Sequence, residues 1–283
     1  MEPGLYVVAT PIGNLSDLSV RAEETLRAAA VVYAEDTRRT GRLLRHLASS
    51  RPLRSLHAHN ELQRVAEVLG RLAEGEICAL VTDAGTPTVS DPGGRLVEAV
   101  TKAGYKVSPI PGPSAVLSAL SVAGMSGDRF AFLGFAPRRG SARDAWIREL
   151  AGLAMTAVFF ESPRRISAML ADLDAAGLGS RRLAVCRELT KLHEDTRYGT
   201  VSELAGYYGG EEIRGEVTVV VEGAASADLD EARRIDPAVL EAAARDMDAA
   251  GMTRSAIAQE LRQVYGISRN EAYKLSLDVK GKG

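Results

Sequence analysis

Short β-type runs alternating with helical patterns predict an α/β fold of two halves followed by a small helical unit. Three observations carry this. Runs rich in Val, Ile and Phe recur along residues 5–223, with amphipathic segments between them. Pro-Gly-Pro at 111–113 breaks the series into two stretches of similar size. After Gly223 only helical periodicity remains. The predicted domains are therefore 1–113, 114–223 and 224–283.

In the first half, strands are predicted at LYVVAT (5–10), AVVYAE (30–35), ICALVT (77–82) and KVSPIP (106–111). SVRAEETLRAA (19–29) and ELQRVAEVLGRLAEG (61–75) carry apolar residues at helical spacing. Ser114 is a good N-cap for the small-residue helix that opens the second half. The small residues there imply that the other half or a ligand lies against that helix. Further strands follow at FAFLGF (130–135), TAVFFE (156–161), LAVCRE (183–188) and EVTVVVEG (216–223), with helices at 142–152, 163–175 and 201–207.

The polar segment 224–236 reads as a linker, and 236–277 as three short helices. Thr253 and Ser268 would cap the last two, with Gly266 in the turn between them. The spacing suits a helix-turn-helix-like unit. Its Arg254, Arg262, Arg269 and Lys274 suit either RNA contact or a solvated basic face.

Composition excludes several classes. With 46% hydrophobic and 25% charged residues in 283, the chain can bury a sizeable core, and a net charge of −2 selects no partner by itself. Cys78 and Cys186 lie inside apolar runs, which fits core positions and a reducing, cytoplasmic compartment. No uninterrupted apolar stretch is long enough for a membrane helix, and the start lacks a secretory pattern. The first loop offers only Gly13 for a dinucleotide fingerprint, and Walker-A, zinc and serine-hydrolase signatures are missing, so no metal is expected.

In an open α/β sheet ligands bind beyond the carboxyl ends of the strands. The segments there are TPIGNLSD (10–17), EDTRRTGR (35–42), TDAGTPTVSDPG (82–93), PGPSA (111–115), FFESPRR (159–165) and CRELTKLHE (186–194). TDAGTPTVSDPG is long, with two Pro, two Gly and two Asp, and its small residues let a ligand approach the backbone. Such loops suit a neutral or zwitterionic ligand held by main-chain groups, with the chemistry supplied by a cofactor.

Taken in order, LYVVATPIGNLSD, AEDTRRTGRLL, HAHNE, TDAGTPTVSDPG, PGPSA, FFESPRRI and RELTK closely resemble the bacterial ribosomal RNA small-subunit 2′-O-methyltransferase family. That family belongs to the tetrapyrrole-methylase-like (class III) S-adenosylmethionine methyltransferases, and the resemblance covers about residues 5–223. It implies two α/β domains with the cofactor in the cleft between them, a homodimer, and methylation of a cytidine ribose in the decoding region. Ala84-Gly85-Thr86-Pro87 resembles the S-G-D-P of tetrapyrrole methylases, with Thr86 in place of the acidic residue. The implied cofactor contacts are Ile12, Asp83, Gly85, Thr86, Val89, Ser114, Ala115 and Phe160. Thr10-Pro11-Ile12-Gly13-Asn14 replaces a glycine-rich first loop, which points to the RNA branch, and Arg164 stands where His is usual after Glu-Ser-Pro.

A ribose hydroxyl is a poor nucleophile, so a base or a cation beside the developing alkoxide should help. Glu35, Asp36, Glu61, Glu161 and Lys191 are candidates. Asp36 is the first choice for base or acceptor positioning, with Lys191 as its electrostatic partner. The structural alternatives are that Asp36 caps a helix from Thr37 and that Lys191 pairs with Glu188 or Glu194. From Thr37 to Leu56 there are six arginines (38, 39, 42, 45, 51, 54) and no acidic residue. With Arg138, Arg139, Arg143 and Arg164 they mark an expected RNA-phosphate surface. The aromatic content of 5% favours recognition of folded RNA, such as the assembled small subunit, over base stacking. The rival readings are a same-fold methyltransferase for a tetrapyrrole or other small molecule, and a non-catalytic RNA-binding protein.

Overall fold

The computed structural model describes residues 1–57, 59–210, 213–224, 237–265 and 269–280. The chain divides into a compact unit, 1–223, and a second unit, 224–283. The first contains two five-stranded sheets.

The first sheet comprises β1 (Gly4–Val8), β2 (Val31–Ala34), β3 (Leu53–Ser55), β4 (Ile77–Val81) and β5 (Val107–Ile110), in the order β3-β2-β4-β1-β5. All of its pairings are parallel. Helices cover both faces, so its strands read as near-continuous apolar runs. Leu5, Val31, Tyr33, Cys78 and Leu80 meet α3 (Glu61–Ala73) and α4 (Gly94–Lys102). Their neighbours Tyr6, Val32, Ala34, Ala79 and Val81 meet α1 (Val20–Ala28) and α2 (Thr37–His46) on the other face. Ser19 caps α1, accepting from the Ala22 N–H. Pro109 is tolerated in β5 because that strand is an edge.

The second sheet is mixed. Its strands β6 (Phe130–Phe135), β7 (Thr156–Glu161), β8 (Arg182–Arg187), β9 (Asp195–Thr200) and β10 (Val217–Val221) lie in the order β6-β7-β10-β8-β9. β10 runs antiparallel to both of its neighbours, with Val219 opposite Phe159 and Val185. One face packs on α6 (Ser141–Gly152), α7 (Ile166–Leu173) and α8 (Val201–Tyr208) through Trp146, Leu150, Met169, Leu173 and Leu204. The other carries Val158, Ala184, Cys186 and Val220 and is covered by α5 (Ala115–Val122). The small residues of that helix therefore lie against the second sheet.

The predicted strands and helices form with ends shifted by a few residues, and the described residues also hold elements beyond those predicted. Strand β9, Asp195–Thr200, is a polar edge strand, and edges carry polar residues that hide the alternation. Strand β3 has only three residues. Helix α4 begins at two glycines, whereas α2 is the helix from Thr37 anticipated with Asp36 as its cap, and only its Thr40, Leu43 and Leu44 are buried.

In the second unit, helices Pro237–Ala249, Arg254–Tyr265 and Arg269–Lys280 share a core of Ala244, Ile257, Leu261 and Ala272. Thr253 caps the middle helix, accepting from the Ala256 N–H at 3.3 Å. The expected linker (from residue 225), the Gly266 turn and the Ser268 cap lie outside the described residues.

Candidate functional site

Strands β6, β7 and β8 all run in one direction, so their carboxyl ends and the amino end of β10 reach the same edge of the sheet. That edge and the loops after β1, β2 and β4 enclose a cleft of about 570 Å³. The volume is that of a small-molecule site. Ile12, Asp83, Gly85, Thr86, Val89, Ser114, Ala115 and Phe160 all line it. So do Glu35, Arg39, Asp91, Cys186 and Gly215–Thr218.

The loop 82–93 is coiled tightly. Gly85, Thr88, Ser90 and Gly93 all have positive φ, and two of them are not glycine. Such strain persists only where surrounding contacts hold it, and it clusters at ligand sites. Gly85 holds this loop to the first one: its N–H donates to the Thr10 carbonyl at 3.0 Å and its own carbonyl accepts from Thr10 at 2.9 Å. The first loop also meets the second half closely. A Cβ on Gly13 would stand 2.8 Å from Thr190 Oγ1 and overlap the stem of Lys191. Ser114 caps α5, accepting from the Leu117 N–H at 3.4 Å, so the first turn of that helix faces the cleft with Ala115 and Val116.

Charge in the cleft is predominantly negative. Glu35, Asp83, Asp91, Glu161 and Glu216 line it against a single arginine, Arg39. Asp83 accepts from the Asp36 N–H at 2.9 Å and pairs with Arg39 at 3.6 Å, joining the ends of β4 and α2. Burial pushes the Asp91 carboxyl up to about 6, and Glu35 and Asp83 add to this while the Thr82 hydroxyl opposes it. Glu35 is raised too, by burial and then by the Asp83 charge. Such a wall suits a ligand carrying positive charge beside apolar Ile12, Val89 and Phe160. The Cys186 thiol is pushed up to about 11 and Cys78 to about 12 by burial, so both are poor nucleophiles. Among the described residues no group of three or more His, Cys, Asp or Glu is placed to hold a metal.

Asp36 and Lys191 lie outside this lining. Asp36 caps α2, accepting from the Arg38 N–H at 2.8 Å, and its carboxylate takes two further hydrogen bonds from the Arg38 guanidinium. These bonds hold it down at about 2, which makes it a poor proton acceptor. Lys191 donates to Glu188 at 2.8 Å and Glu216 at 3.1 Å. Burial pulls its ammonium down, but the two carboxylates outweigh this and its pKa lies above the ordinary lysine value. Both residues are thus held as the structural alternatives anticipated, Lys191 by Glu188 and also by Glu216.

The arginines divide into two regions. On α2, Arg38, Arg42 and Arg45 are exposed along one stripe while Thr40, Leu43 and Leu44 face the core, and Arg39 reaches the cleft. Arg138, Arg139 and Arg164 are exposed past the ends of β6 and β7, whereas Arg143 is buried. Sequence reasoning missed Asp91 and Gly215–Thr218. The latter belong to the amino end of a reversed strand, where a rule about carboxyl ends does not look.

The family model for Tetrapyrrole (Corrin/Porphyrin) Methylases matches residues 4–205. Ribosomal RNA small subunit methyltransferase I of Xylella fastidiosa (strain Temecula1) is 48% identical over 240 residues, covering 82% of this chain and 88% of its own. The protein of that name from Synechocystis sp. (strain PCC 6803) is 40% identical over 283 residues, covering 99% of both chains. Among solved structures, a diphthine synthase superimposes with a TM-score of 0.61 at 16% identity, over 80% of this chain and 92% of that one. A uroporphyrin-III C-methyl transferase from Thermus thermophilus, complexed with S-adenyl homocysteine, gives 0.55 at 19% identity, over 77% and 97%. At these identities the structural likeness concerns the fold alone.

Proposed function

Since the chain belongs to the ribosomal RNA small subunit methyltransferase I family, within the tetrapyrrole methylases, we infer that it methylates small-subunit ribosomal RNA using S-adenosylmethionine. The finer reading is 2′-O-methylation of a cytidine ribose in the decoding region, on the assembled subunit, in the cytoplasm, by a homodimer. One observation supports it most: the cleft that gathers the eight expected donor contacts also takes in Arg39 of the arginine-bearing α2. A second copy has an apolar surface available at Leu117, Val122 and Tyr198, where the Tyr198 hydroxyl donates to the Val122 carbonyl at 2.9 Å.

S-adenosylmethionine supplies an electrophilic methyl group on a sulfonium centre. The protein's task is then alignment and placement of charge. Ile12, Val89 and Phe160 offer apolar walls, Ser114 and Ala115 offer the α5 backbone, and Asp83 and Asp91 complement positive charge. Lys191, kept cationic, stands near the rim through Glu216 and suits negative charge developing on the acceptor. Asp36 acts by positioning, through its hold on Arg38 and the start of α2.

Purified protein incubated with tritiated donor should label small subunits and leave a porphyrinoid unlabelled, and mass mapping should place the methyl on a ribose. Labelled porphyrinoid with unlabelled subunits would favour the small-molecule rival. No transfer to either, with no donor binding by calorimetry, would favour the RNA-binding one. Replacing Arg42 and Arg45 with Gln should weaken subunit affinity about tenfold and reduce the slope of log affinity against log salt by about one to two. Unchanged affinity across the salt series counts against the α2 surface.

Asp91 gives a pH dependence. It is protonated below about pH 6 and ionised above, so affinity for the cationic donor should rise as pH passes upward through 6. The neutral product should respond less. Because its folded pKa is raised, Asp91 favours folding at low pH, and that contribution is lost as pH rises through about 6. Asp91→Asn should therefore raise the melting temperature most at pH 8 and by less at pH 5, which lies inside the window between the ordinary aspartate value and about 6, and should weaken donor binding at pH 8 about tenfold. Calorimetry and thermal melts at both pH values check this.

A further inference from the structure

A second cavity, of about 650 Å³, lies past the ends of β6 and β7. Arg138, Arg139, Arg143, Arg148 and Arg165 line it. Against them stand Asp144 and Asp172. Arg143 is the informative member. Its side chain is only 5% exposed, and its Nη2 has no hydrogen-bond partner. The rest of that guanidinium is held. Nε pairs with Asp172 at 2.6 Å, and Nη1 donates to the Pro137 and Arg138 carbonyls at 3.4 and 3.3 Å and pairs with the buried Glu161 carboxylate at 3.8 Å. Arg143 lines the cavity, and a buried donor left without an acceptor costs free energy unless something arrives to accept from it.

The same wall contains the start of α6, a helix of twelve residues. Its N-cap is Gly140, and no side chain caps it, as at α3, α4 and α7. The Gly140 carbonyl takes the N–H groups of Arg143 and Asp144, so those of Ser141 and Ala142 belong to the uncapped first turn. Free N–H groups, the helix dipole and a guanidinium fork are together the means by which proteins hold phosphate oxygens.

The cavity adjoins the methyl-transfer cleft. Phe135 lines the cleft and Arg138 the cavity; Pro163 lines the cleft and Arg165 the cavity. Three residues span at most about 11 Å, which is within reach of the backbone flanking a bound nucleotide. Glu161 joins the two: it lines the cleft and accepts from Arg165 Nε at 2.7 Å. We propose that this cavity is a phosphodiester-binding subsite, in which Arg143 Nη2 and the first turn of α6 hold the RNA backbone beside the target ribose. The proposal rests on the RNA reading above. Arg139 and Arg148, both exposed, would supply charge at the mouth.

Binding of the full-length protein to purified small subunits, measured across a potassium chloride series without donor, tests this separately from catalysis. Arg139→Gln with Arg148→Gln should weaken binding about tenfold and lower the salt slope by about one. Arg143→Lys keeps the charge but loses the fork, and should weaken binding about threefold to tenfold. Donor affinity by calorimetry should be unchanged in both variants, which establishes that they are folded. Subunit affinity and salt slope equal to wild type in the Arg139/Arg148 variant would overturn the subsite. So would tight binding of inorganic phosphate that these substitutions abolish without any effect on subunit binding, since the site would then serve a free anion. A wild-type protein that binds subunits in this arginine-dependent way yet transfers no methyl leaves the subsite standing and removes the catalytic reading.

Discussion

Gly85→Val is expected to lower affinity for S-adenosylmethionine about a hundredfold while the second sheet stays folded. Gly85 has φ +78°, a region that a β-branched residue occupies only as an outlier. Holding valine there costs on the order of 1–3 kcal/mol. Relaxing that strain means turning the peptide units that exchange hydrogen bonds with Thr10. Those bonds join the two loops bearing Ile12, Asp83 and Thr86. An added Cβ alone would meet only Ile12 Cγ2 at 3.5 Å and the Pro113 carbonyl at 3.7 Å, which are ordinary contacts. Gly85→Ala should therefore lose only several-fold, through the backbone term. Calorimetric titration of the two variants separates strain from contact: equal, large losses would place the effect in the side chain, and wild-type affinity in Gly85→Val would detach this loop from donor binding.

The largest effect on stability is expected from Phe159→Ala. Phe159 is fully buried on β7, an interior strand of the second sheet, with its ring 4.9 Å from that of Trp146 in an edge-to-face contact. Removing a buried phenyl ring costs about 3–5 kcal/mol. At about 2–4 °C per kcal/mol for a unit of this size, the melting temperature should fall by roughly 6–20 °C. Phe159→Leu, which keeps most of the volume, should cost less than about 1.5 kcal/mol. Its neighbour Phe160 points to the opposite face and lines the cleft. Phe160→Ala should thus trade a smaller loss of stability for a larger loss of donor affinity. Scanning calorimetry of the three variants checks the order; a melt for Phe159→Ala within 2 °C of wild type would contradict the packing described.

The difference between Phe159 and Phe160 also marks what could be read from the sequence. Runs such as ICALVT announce strands because both faces of the first sheet are buried. The edge strand Asp195–Thr200 escapes notice because its apolar positions are few, and the arginine-bearing α2 shows only through its cap, Asp36. The donor wall was legible through resemblance, motif by motif, and only weakly from residue chemistry. Asp91 could not be picked out, since its raised pKa comes from burial among Glu35 and Asp83 that only the fold creates. Arg143 was legible as one of three nearby arginines, but not as the one that turns inward. Asp36 and Lys191 look alike as charged residues at strand ends, and their partners in the fold decide what each can do.

The reversed strand β10 has a consequence for biosynthesis. It is the last strand of its sheet in the chain, yet it sits at the centre. While a ribosome is still making residues 217–221, the nascent chain can form β6 with β7 and β8 with β9, two ribbons whose inner edges are bare. Bare edges recruit other chains. Translation continues through residues 224–283 after that strand is complete, about 3–12 s at ordinary elongation rates. During that interval the central strand can clear the exit tunnel and close the sheet, so making residues 224–283 gives the unit that precedes them time to fold.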